Sequence, residues 1–199
     1  IDAKGIVIPF YHVFPGAGVI IVGVDGGRDF VAVVIGADPF SDIAVFFIDS
    51  KKNFTPVLFG DSDLSSIGDW VLAIGYPFGL GGTVTSGIIS ASYRSIGLSR
   101  YGDFILTDAS IYVGYSGGPL FYMDGDVIGI YTAILGQSGS IGIGFAIPSN
   151  SAKRVIDQLI KYGGTKRGWL GVSIQVVTKG IAEVEQLDLA RGALVASVA

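Results

Sequence analysis

The stretch Gly114-Tyr115-Ser116-Gly117-Gly118-Pro119 encloses a single serine between glycines. Glycine adopts backbone conformations that other residues avoid, so this spacing predicts a tight loop around Ser116. In such a loop the backbone N–H groups of Gly114 and Ser116 can converge and form an oxyanion hole. The stretch makes Ser116 a candidate nucleophile, although a Gly-Ser-Gly loop taken alone is usually only a turn.

The same residues match two nucleophile patterns, and the position of the histidine separates them. G-x-S-x-G is the nucleophile elbow of α/β-hydrolases, in which the catalytic acid and the histidine follow the serine. The single histidine, His12, precedes Ser116, and Pro119 is unfavourable in the helix that follows an elbow. The order of residues excludes the elbow and leaves G-x-S-G-G-P, the nucleophile loop of trypsin-like serine proteases.

His12, Asp42 and Ser116 occur in the chain order of the chymotrypsin triad. Asp42 stands at the head of an apolar run, in Ser41-Asp42-Ile43-Ala44-Val45. From there its carboxylate can hold the imidazole of His12 in the required tautomer, and His12 can take the proton of Ser116. A lone histidine and an aspartate that opens a strand are each usually structural, but together with the Ser116 loop they predict a catalytic triad.

Composition excludes several classes of function. The chain has 199 residues, of which 50% are apolar and 15% charged, with no cysteine and a formal net charge of −4. Disorder, disulfides, thiolate nucleophiles, zinc sites built on cysteine and metal sites with several histidines are excluded. The acidic balance argues against binding of nucleic acid, and no metal or other cofactor is expected. The uncharged stretches 70–93 and 127–152 are interrupted by Gly, Pro, Ser and Thr, so no transmembrane span is predicted.

Short, β-branched apolar runs predict an all-β fold, a barrel or a sandwich. Two Asp-Gly pairs, at 25–26 and 124–125, lie between such runs and predict hairpin turns. The predicted strands are residues 31–35, 43–48, 71–74, 87–91, 127–133 and 141–147.

One segment has the period of a helix instead. Apolar side chains in residues 151–162 recur at i, i+3, i+4, i+7 and i+8, which predicts an amphipathic helix. Ser149, Asn150 or Ser151 can cap its start, and Gly163-Gly164 is expected to end it. The polar residues 163–167 that follow predict a boundary between a domain at 1–164 and a segment at 165–199. That segment is too short for an independent domain.

Seven further stretches carry a resemblance to a known family. They are Gly36-Ala-Asp-Pro-Phe-Ser-Asp42-Ile-Ala-Val45, Gly60-Asp-Ser-Asp63, Gly68-Asp-Trp-Val-Leu-Ala-Ile-Gly75, Pro77-Phe-Gly-Leu-Gly81, Thr83-Val-Thr-Ser-Gly-Ile-Ile-Ser90, Asp103-Phe-Ile-Leu-Thr-Asp108 and Ile141-Gly-Ile-Gly-Phe-Ala-Ile-Pro-Ser-Asn150. With the Ser116 loop, they resemble the HtrA/Deg family of trypsin-like serine proteases, most closely its bacterial periplasmic DegP/DegQ branch. The resemblance covers nearly the whole chain.

The resemblance implies a chymotrypsin-like double β-barrel with a C-terminal helix, followed by the start of a PDZ domain. The first barrel is expected to be incomplete at its N-terminus. The implied triad is His12, Asp42 and Ser116, in an ATP-independent endopeptidase that degrades unfolded or misfolded proteins in periplasmic quality control. A catalytically latent chaperone or peptide-binding module of the same fold is the alternative. A homo-oligomer, a trimer or multiples of it, is the implied assembly.

The resemblance also places the walls of the S1 pocket at Ile111, Leu135 and Ile143. The residue six positions before the nucleophile, where trypsin-like enzymes with basic specificity carry an acid, is Ser110. Cleavage after small aliphatic residues is therefore expected, with discrimination of only about 1–3 kcal/mol per methylene-sized difference. Asp108, eight residues before Ser116, is expected to be structural.

The last part of the chain resembles the opening of a PDZ domain. Trp169, Leu170, Gly171 and Val172 match the loop that binds a peptide carboxylate, and residues 192–196 match the next core strand. The alternative is a packed tail without peptide binding. No signal peptide is visible and the chain does not begin with Met, which suggests a mature or trimmed product.

The sequence departs from the family at six tyrosines that stand where the family favours asparagine. Tyrosine tolerates unusual backbone conformations less well than asparagine, and Pro9 removes a backbone donor just before His12. Tyr115 and Pro9 therefore motivate the latent alternative. Loops around residues 93–101 and 136–140 are expected from the resemblance to switch activity. The six tyrosines are Tyr11, Tyr76, Tyr112, Tyr115, Tyr122 and Tyr131.

Overall fold

The computed structural model describes residues 2–24, 27–50, 53–77, 81–94, 103–134 and 142–199. They form two compact units, Ile1–Thr165 and Lys166–Ala199. Four sequence predictions lie outside the described residues: the turn at 25–26, the pocket residue Leu135, most of the loop at 93–101 and the whole loop at 136–140.

Ten strands and one long helix make up the first unit. In chain order they are β1 (Ile6–Val7), β2 (Ile20–Val24), β3 (Arg28–Asp38), β4 (Ile43–Ile48), β5 (Trp70–Gly75), β6 (Thr83–Arg94), β7 (Phe104–Thr107), β8 (Pro119–Tyr122), β9 (Val127–Ile134), β10 (Gly144–Pro148) and α1 (Ser149–Tyr162). Two short 3₁₀ turns, Tyr11–Val13 and Ser62–Leu64, lie between strands.

The strands divide into an open sheet and a closed barrel. The order β1-β4-β3-β2 forms the sheet, and the barrel closes in the order β10-β7-β6-β5-β8-β9. All paired strands are antiparallel. The mostly β fold with a C-terminal helix is therefore confirmed. Where the sequence predicted a first barrel, the described residues form the open sheet.

Strand β4 lies at the centre of the first unit. Its side chains alternate between two apolar clusters: Ile43 and Val45 pack with barrel and helix residues, while Ala44, Phe46 and Ile48 pack on the other face of the sheet. A strand buried on both faces is a continuous apolar run, which is why its bounds agree with the prediction. Asp42 directly precedes this buried strand.

The other predicted strands are present with different ends. Observed strands β3, β5, β6 and β9 extend beyond the predicted runs, whereas β10 begins only at Gly144. Strands β1, β2, β7 and β8 were not predicted. The turn at 124–125 is confirmed, since Gly125 has φ +95° and the Asp124 carboxylate accepts a hydrogen bond from the Asp126 N–H at 3.1 Å.

Helix α1 begins two residues earlier than predicted, and the expected side-chain cap is wrong. Pro148 occupies the N-cap position, and no side chain within the helix start itself caps the first turn. The Ser149 hydroxyl instead donates to the Gly60 carbonyl at 2.7 Å, and the Asn150 N–H donates to the Ser62 hydroxyl at 3.1 Å. Contacts with the distant 60–62 segment have replaced local capping. The predicted stop is confirmed: Gly163 is left-handed at φ +72°.

The second unit is a β-hairpin with a short helix in its connection. Strands β11 (Val172–Val176) and β12 (Ala193–Val198) are antiparallel, and α2 (Lys179–Val184) lies between them in sequence. The Thr178 hydroxyl caps α2 by accepting the Ile181 N–H at 3.4 Å. Of the helices that the structure describes in either unit, none is long and apolar enough to span a membrane.

Replacing Gly36 by alanine is expected to lower the free energy of unfolding. Gly36 is buried in β3, and a Cβ atom there would lie 2.7 Å from the carbonyl oxygen of Gly163 at the end of α1. The backbone must shift to relieve this overlap, at a cost of about 1–3 kcal/mol. Urea denaturation followed by circular dichroism measures the change. Gly164→Ala is the matched control, because a Cβ atom at Gly164 meets nothing within 4 Å. Equal midpoints for the two variants would contradict the packing described.

Candidate active site

His12 and Asp42 form a close polar pair in the first unit. His12 Nδ1 lies 2.6 Å from Asp42 Oδ2, and the His12 backbone N–H donates to Asp42 Oδ1 at 2.9 Å. Both oxygens of the carboxylate are therefore directed at one residue. The His12 side chain is half exposed. Solvent or a substrate can therefore reach this side chain. This is the arrangement in which an acid orients a catalytic base.

Backbone contacts hold the segment before His12 against β4. The Tyr11 N–H donates to the Asp42 carbonyl at 2.9 Å, and the Ala44 N–H donates to the Pro9 carbonyl at 3.0 Å. Pro9 lacks an N–H, but it contributes here as an acceptor. The ring of Phe10, itself buried, stacks against the His12 ring with a centroid distance of 5.6 Å. These backbone hydrogen bonds and the stacked ring thus fix the position of His12 beside Asp42.

The Ser116 loop is anchored on β9. The Gly117 N–H donates to the Tyr131 carbonyl at 2.9 Å, the Tyr131 N–H donates to the Gly118 carbonyl at 2.9 Å, and the Gly118 N–H donates to the Tyr115 carbonyl at 2.7 Å. These bonds leave the Ser116 side chain exposed at the tip of a turn. The sequence predicted this tight loop.

The loop lies beside the histidine segment. Gly117 has φ +87°, and a Cβ atom there would lie 4.0 Å from both the Pro9 Cα and the Phe10 nitrogen. Residues 42, 12 and 116, far apart in the chain, are thereby brought to one region. The described hydrogen bonds join His12 to Asp42 and not to Ser116. Catalytic hydrogen bonds often tighten only when substrate is bound, so the pairing of His12 with Ser116 stays a prediction.

The predicted oxyanion hole depends on the backbone at Gly114. Gly114 has φ +102°, and a Cβ atom would lie 2.6 Å from the Tyr76 carbonyl oxygen, so only glycine fits. Its carbonyl accepts the Tyr76 N–H at 3.1 Å. Within the part of the chain that the structure describes, neither the Gly114 N–H nor the Ser116 N–H donates a hydrogen bond. Both donors are therefore available to a ligand.

The predicted S1 residues are only partly brought together. Ile111 is buried in the barrel core and packs directly against Gly144, whereas Ile143 is half-buried and packs against the cluster around β4 and α1. Sequence reasoning missed Gly144, whose lack of a side chain makes room for Ile111. The Asp108 carboxylate accepts the Ile88 N–H at 2.7 Å, in agreement with the structural role expected of it.

Sequence reasoning also missed how Tyr115 is accommodated. Its side chain is fully buried, and the ring lies on Gly75, where a Cβ atom would be 2.6 Å from Cδ1 and 2.7 Å from Cδ2. The hydroxyl donates to the Thr83 carbonyl at 3.4 Å. Gly75 and Thr83 are direct partners of the β5–β6 ladder. The residue before the nucleophile is therefore anchored on that ladder.

Two more of the departing tyrosines lie in or against the barrel core. Tyr131 is buried, and loss of solvation raises the pKa of its hydroxyl far above the usual value. Burial also raises the pKa of Tyr122, whose hydroxyl donates to Asp69 Oδ2 at 3.0 Å. Both remain neutral near pH 7. The rings of Tyr131 and Tyr122 thus contribute to the apolar packing of the barrel.

Among the described residues, no group of three or more His, Cys, Asp or Glu side chains is arranged to hold a metal ion. The chemistry available in this region is that of a hydroxyl, an imidazole, a carboxylate and two backbone donors. Groups of these kinds, in this chain order, are the ones that serine hydrolases with a His-Asp-Ser order use.

Comparison with known proteins agrees with this class. Residues 1–130 match the family described as "Trypsin-like peptidase domain". The chain is 52% identical over 199 residues to "Probable periplasmic serine endoprotease DegP-like" of Brucella suis biovar 1 (strain 1330), covering 99% of this chain and 39% of that protein. It is 48% identical over 201 residues to "Periplasmic serine endoprotease DegP" of Escherichia coli (strain K12), covering 100% of this chain and 42% of that protein.

A solved structure, "HtrA-type protease AlgW with tripeptide", matches with a TM-score of 0.91 and 46% identity, over 100% of this chain and 66% of that one. The chain therefore belongs to the HtrA/DegP family of trypsin-like serine proteases. It spans about two fifths of the length of the two curated relatives.

Truncation of Tyr115 is expected to destabilise the barrel, while loss of its hydroxyl alone is not. Tyr115→Ala leaves a cavity over Gly75 and costs about 3–5 kcal/mol. Tyr115→Phe removes only a long hydrogen bond and costs about 1 kcal/mol or less. Urea denaturation measures both, with Tyr76→Ala as the control, since Tyr76 is an exposed tyrosine of the same departing set. If Tyr115→Ala is as stable as Tyr76→Ala, the ring does not carry the packing assigned to it.

Proposed function

We propose that this chain is a serine endopeptidase that cleaves unfolded protein or peptide substrates. The observation that carries the proposal is the His12–Asp42 pair, with a 2.6 Å contact at Nδ1, in the same region as the exposed Ser116 loop. The names of the relatives, which include "serine endoprotease" and "periplasmic", support both the reaction and a periplasmic location. ATP is not required by this chemistry.

The reaction follows from the groups in place. Asp42 keeps the Nδ1 proton of His12 engaged, so that Nε2 can accept the proton of the Ser116 hydroxyl. Ser116 Oγ then attacks the substrate carbonyl, and the Gly114 and Ser116 N–H groups stabilise the oxyanion. His12 returns the proton to the leaving amine, and the C–N bond breaks. Water, activated by the same histidine, then hydrolyses the acyl-enzyme.

Specificity is proposed to lie with small aliphatic residues at P1. Ile111 packs against Gly144, Ile143 directly precedes Gly144, and Leu135 is the third predicted wall. No acidic side chain stands at the sixth position before Ser116, where Ser110 lies. An apolar wall with no buried acid favours Val, Ala or Ile over Lys or Arg.

The finer architecture is also a proposal. The open sheet is interpreted as the counterpart of the first barrel of a chymotrypsin-like fold. Residues 165–199, with the hairpin of β11 and β12, are interpreted as the N-terminal part of a PDZ domain. Trp169, Leu170, Gly171 and Val172 would form its carboxylate-binding loop, of which Trp169 and Leu170 are exposed. Assembly into trimers or their multiples is proposed from the family alone.

A fluorophosphonate probe tests the active serine. It is expected to label the chain and not Ser116→Ala, and Ser66→Ala, at an exposed serine, should be labelled normally. Asp42→Asn should lower the labelling rate by roughly 10⁴-fold, because the histidine is then held in the wrong tautomer. Absence of labelling in the folded wild-type chain, with suppression of client aggregation retained, would instead support the latent chaperone alternative.

A peptide library varied at P1 tests specificity. Val, Ala and Ile are expected to be cleaved faster than Lys, and among the apolar residues the preference should be about 10–200-fold per methylene-sized change. The measurement is kcat/KM for each peptide. Equal values for Val and Lys would exclude the aliphatic pocket.

A further inference from the structure

The turn at residues 38–42 contains a buried carboxylate that the proposed reaction does not use. Asp38 ends β3, Ile43 begins β4, and the two residues are direct partners of the ladder. The Asp38 side chain is 1% exposed. Its Oδ2 accepts the Ser41 hydroxyl at 2.5 Å and the Ser41 N–H at 3.2 Å, and its Oδ1 accepts the Phe40 N–H at 3.3 Å. A buried carboxylate is costly unless it is well hydrogen-bonded, and here these donors all come from one turn.

This turn delivers Asp42 in a left-handed backbone conformation. Asp42 has φ +60°, one of three positive values among the non-glycine residues that the structure describes. Such a conformation costs free energy for residues other than glycine, less for aspartate than for most, and hydrogen bonds of the surrounding turn can hold it in place. Ser41, which is bound twice by Asp38, is the residue directly before it.

In this conformation the carbonyl and the carboxylate of Asp42 both point toward residues 11 and 12. The Asp42 carbonyl accepts the Tyr11 N–H at 2.9 Å. The carboxylate accepts the His12 N–H and contacts His12 Nδ1. A rotation of the backbone at Asp42 would move the carbonyl and the carboxylate together, and would weaken all three contacts.

We propose that Asp38 and Ser41 are positioning residues for the triad. The Asp38 carboxylate, acting through the hydroxyl and N–H of Ser41, holds Asp42 in the conformation that aims its carboxylate at His12. This inference rests on the proposed function only for its consequence in catalysis. The positioning itself is a property of the folded chain and can be measured without substrate.

Proton NMR of the chain with ¹⁵N-labelled histidine tests the positioning. His12 is the single histidine, so the deshielded signal of a hydrogen-bonded Nδ1 proton has one possible source. Ser41→Ala is expected to shift this signal upfield and to broaden it, and Asp38→Ala is expected to abolish it. Ser41→Thr keeps the hydroxyl, so its signal should be the same as that of the wild-type chain. Asp61→Ala is the matched control. Asp61 likewise caps a short turn through the Asp63 N–H, at 3.0 Å, and binds the Asn150 side chain.

Kinetics supply the second readout. Displacement of the orienting acid should lower kcat by about 10–100-fold in Ser41→Ala with KM unchanged, since misplacement of a catalytic group acts on the chemical step. Ser41→Thr and Asp61→Ala should retain the wild-type kcat. Should Asp38→Ala not fold, the comparison of Ser41→Ala with Ser41→Thr is sufficient.

An unchanged Nδ1 proton signal in folded Ser41→Ala and Asp38→Ala would overturn the inference. Equal loss of signal in Asp61→Ala would also overturn it, because the effect would then reflect general loss of stability. A wild-type chain that shows the signal but cleaves no peptide would refute the proposed function. The NMR signals of the same variants would still test the positioning of His12 by Asp38 and Ser41.

Discussion

The hydrogen bond between His12 Nδ1 and Asp42 Oδ2 connects two parts of the chain that are 30 residues apart. It is supported by parallel contacts of the backbone, from Tyr11 to the Asp42 carbonyl and from Ala44 to the Pro9 carbonyl. An acid in this position sets the tautomer and direction of the imidazole and so makes it an efficient base. The other candidate groups, Ser116 and the two backbone donors, can take part in catalysis only if they lie within reach of this pair.

Burial of β4 is what makes that bond possible. Ile43 and Val45 pack toward the barrel and helix, and Ala44, Phe46 and Ile48 pack on the other face. A strand held on both faces has little freedom to slide, because a shift of one residue would exchange its two faces. Asp42 directly precedes this strand, so the strand fixes its position. The hairpin turn that begins at Asp38 fixes the left-handed conformation of the Asp42 backbone.

Glycines allow the close approaches that bring the remaining parts into place. Gly36 admits the end of α1 onto β3, Gly75 admits the ring of Tyr115, and Gly114 admits the Tyr76 carbonyl. Of the six tyrosines that depart from the resemblance, Tyr115 and Tyr131 fill apolar volume in the barrel. The glycines therefore provide the space into which backbone and large apolar side chains pack.

Local patterns in the sequence determined the elements whose causes are local. The apolar run of β4, the stop at Gly163 and the turn at 124–125 follow from side chains within a few residues of each other. The Ser116 loop and the order of His12, Asp42 and Ser116 predicted the class of active site. These features required no knowledge of distant contacts.

Only the tertiary structure decided the features that depend on partners far along the chain. The start of α1 was one of them, because Ser149 and Asn150 bind the 60–62 segment instead of capping the helix. Others were the room made for Ile111 by Gly144 and for Tyr115 by Gly75. The left-handed backbone of Asp42 was the last, since it is held by the Asp38 turn and by contacts with His12 that arise only when the two segments meet. Long-range packing has no local sequence period, which is the physical reason these features were not visible in the sequence.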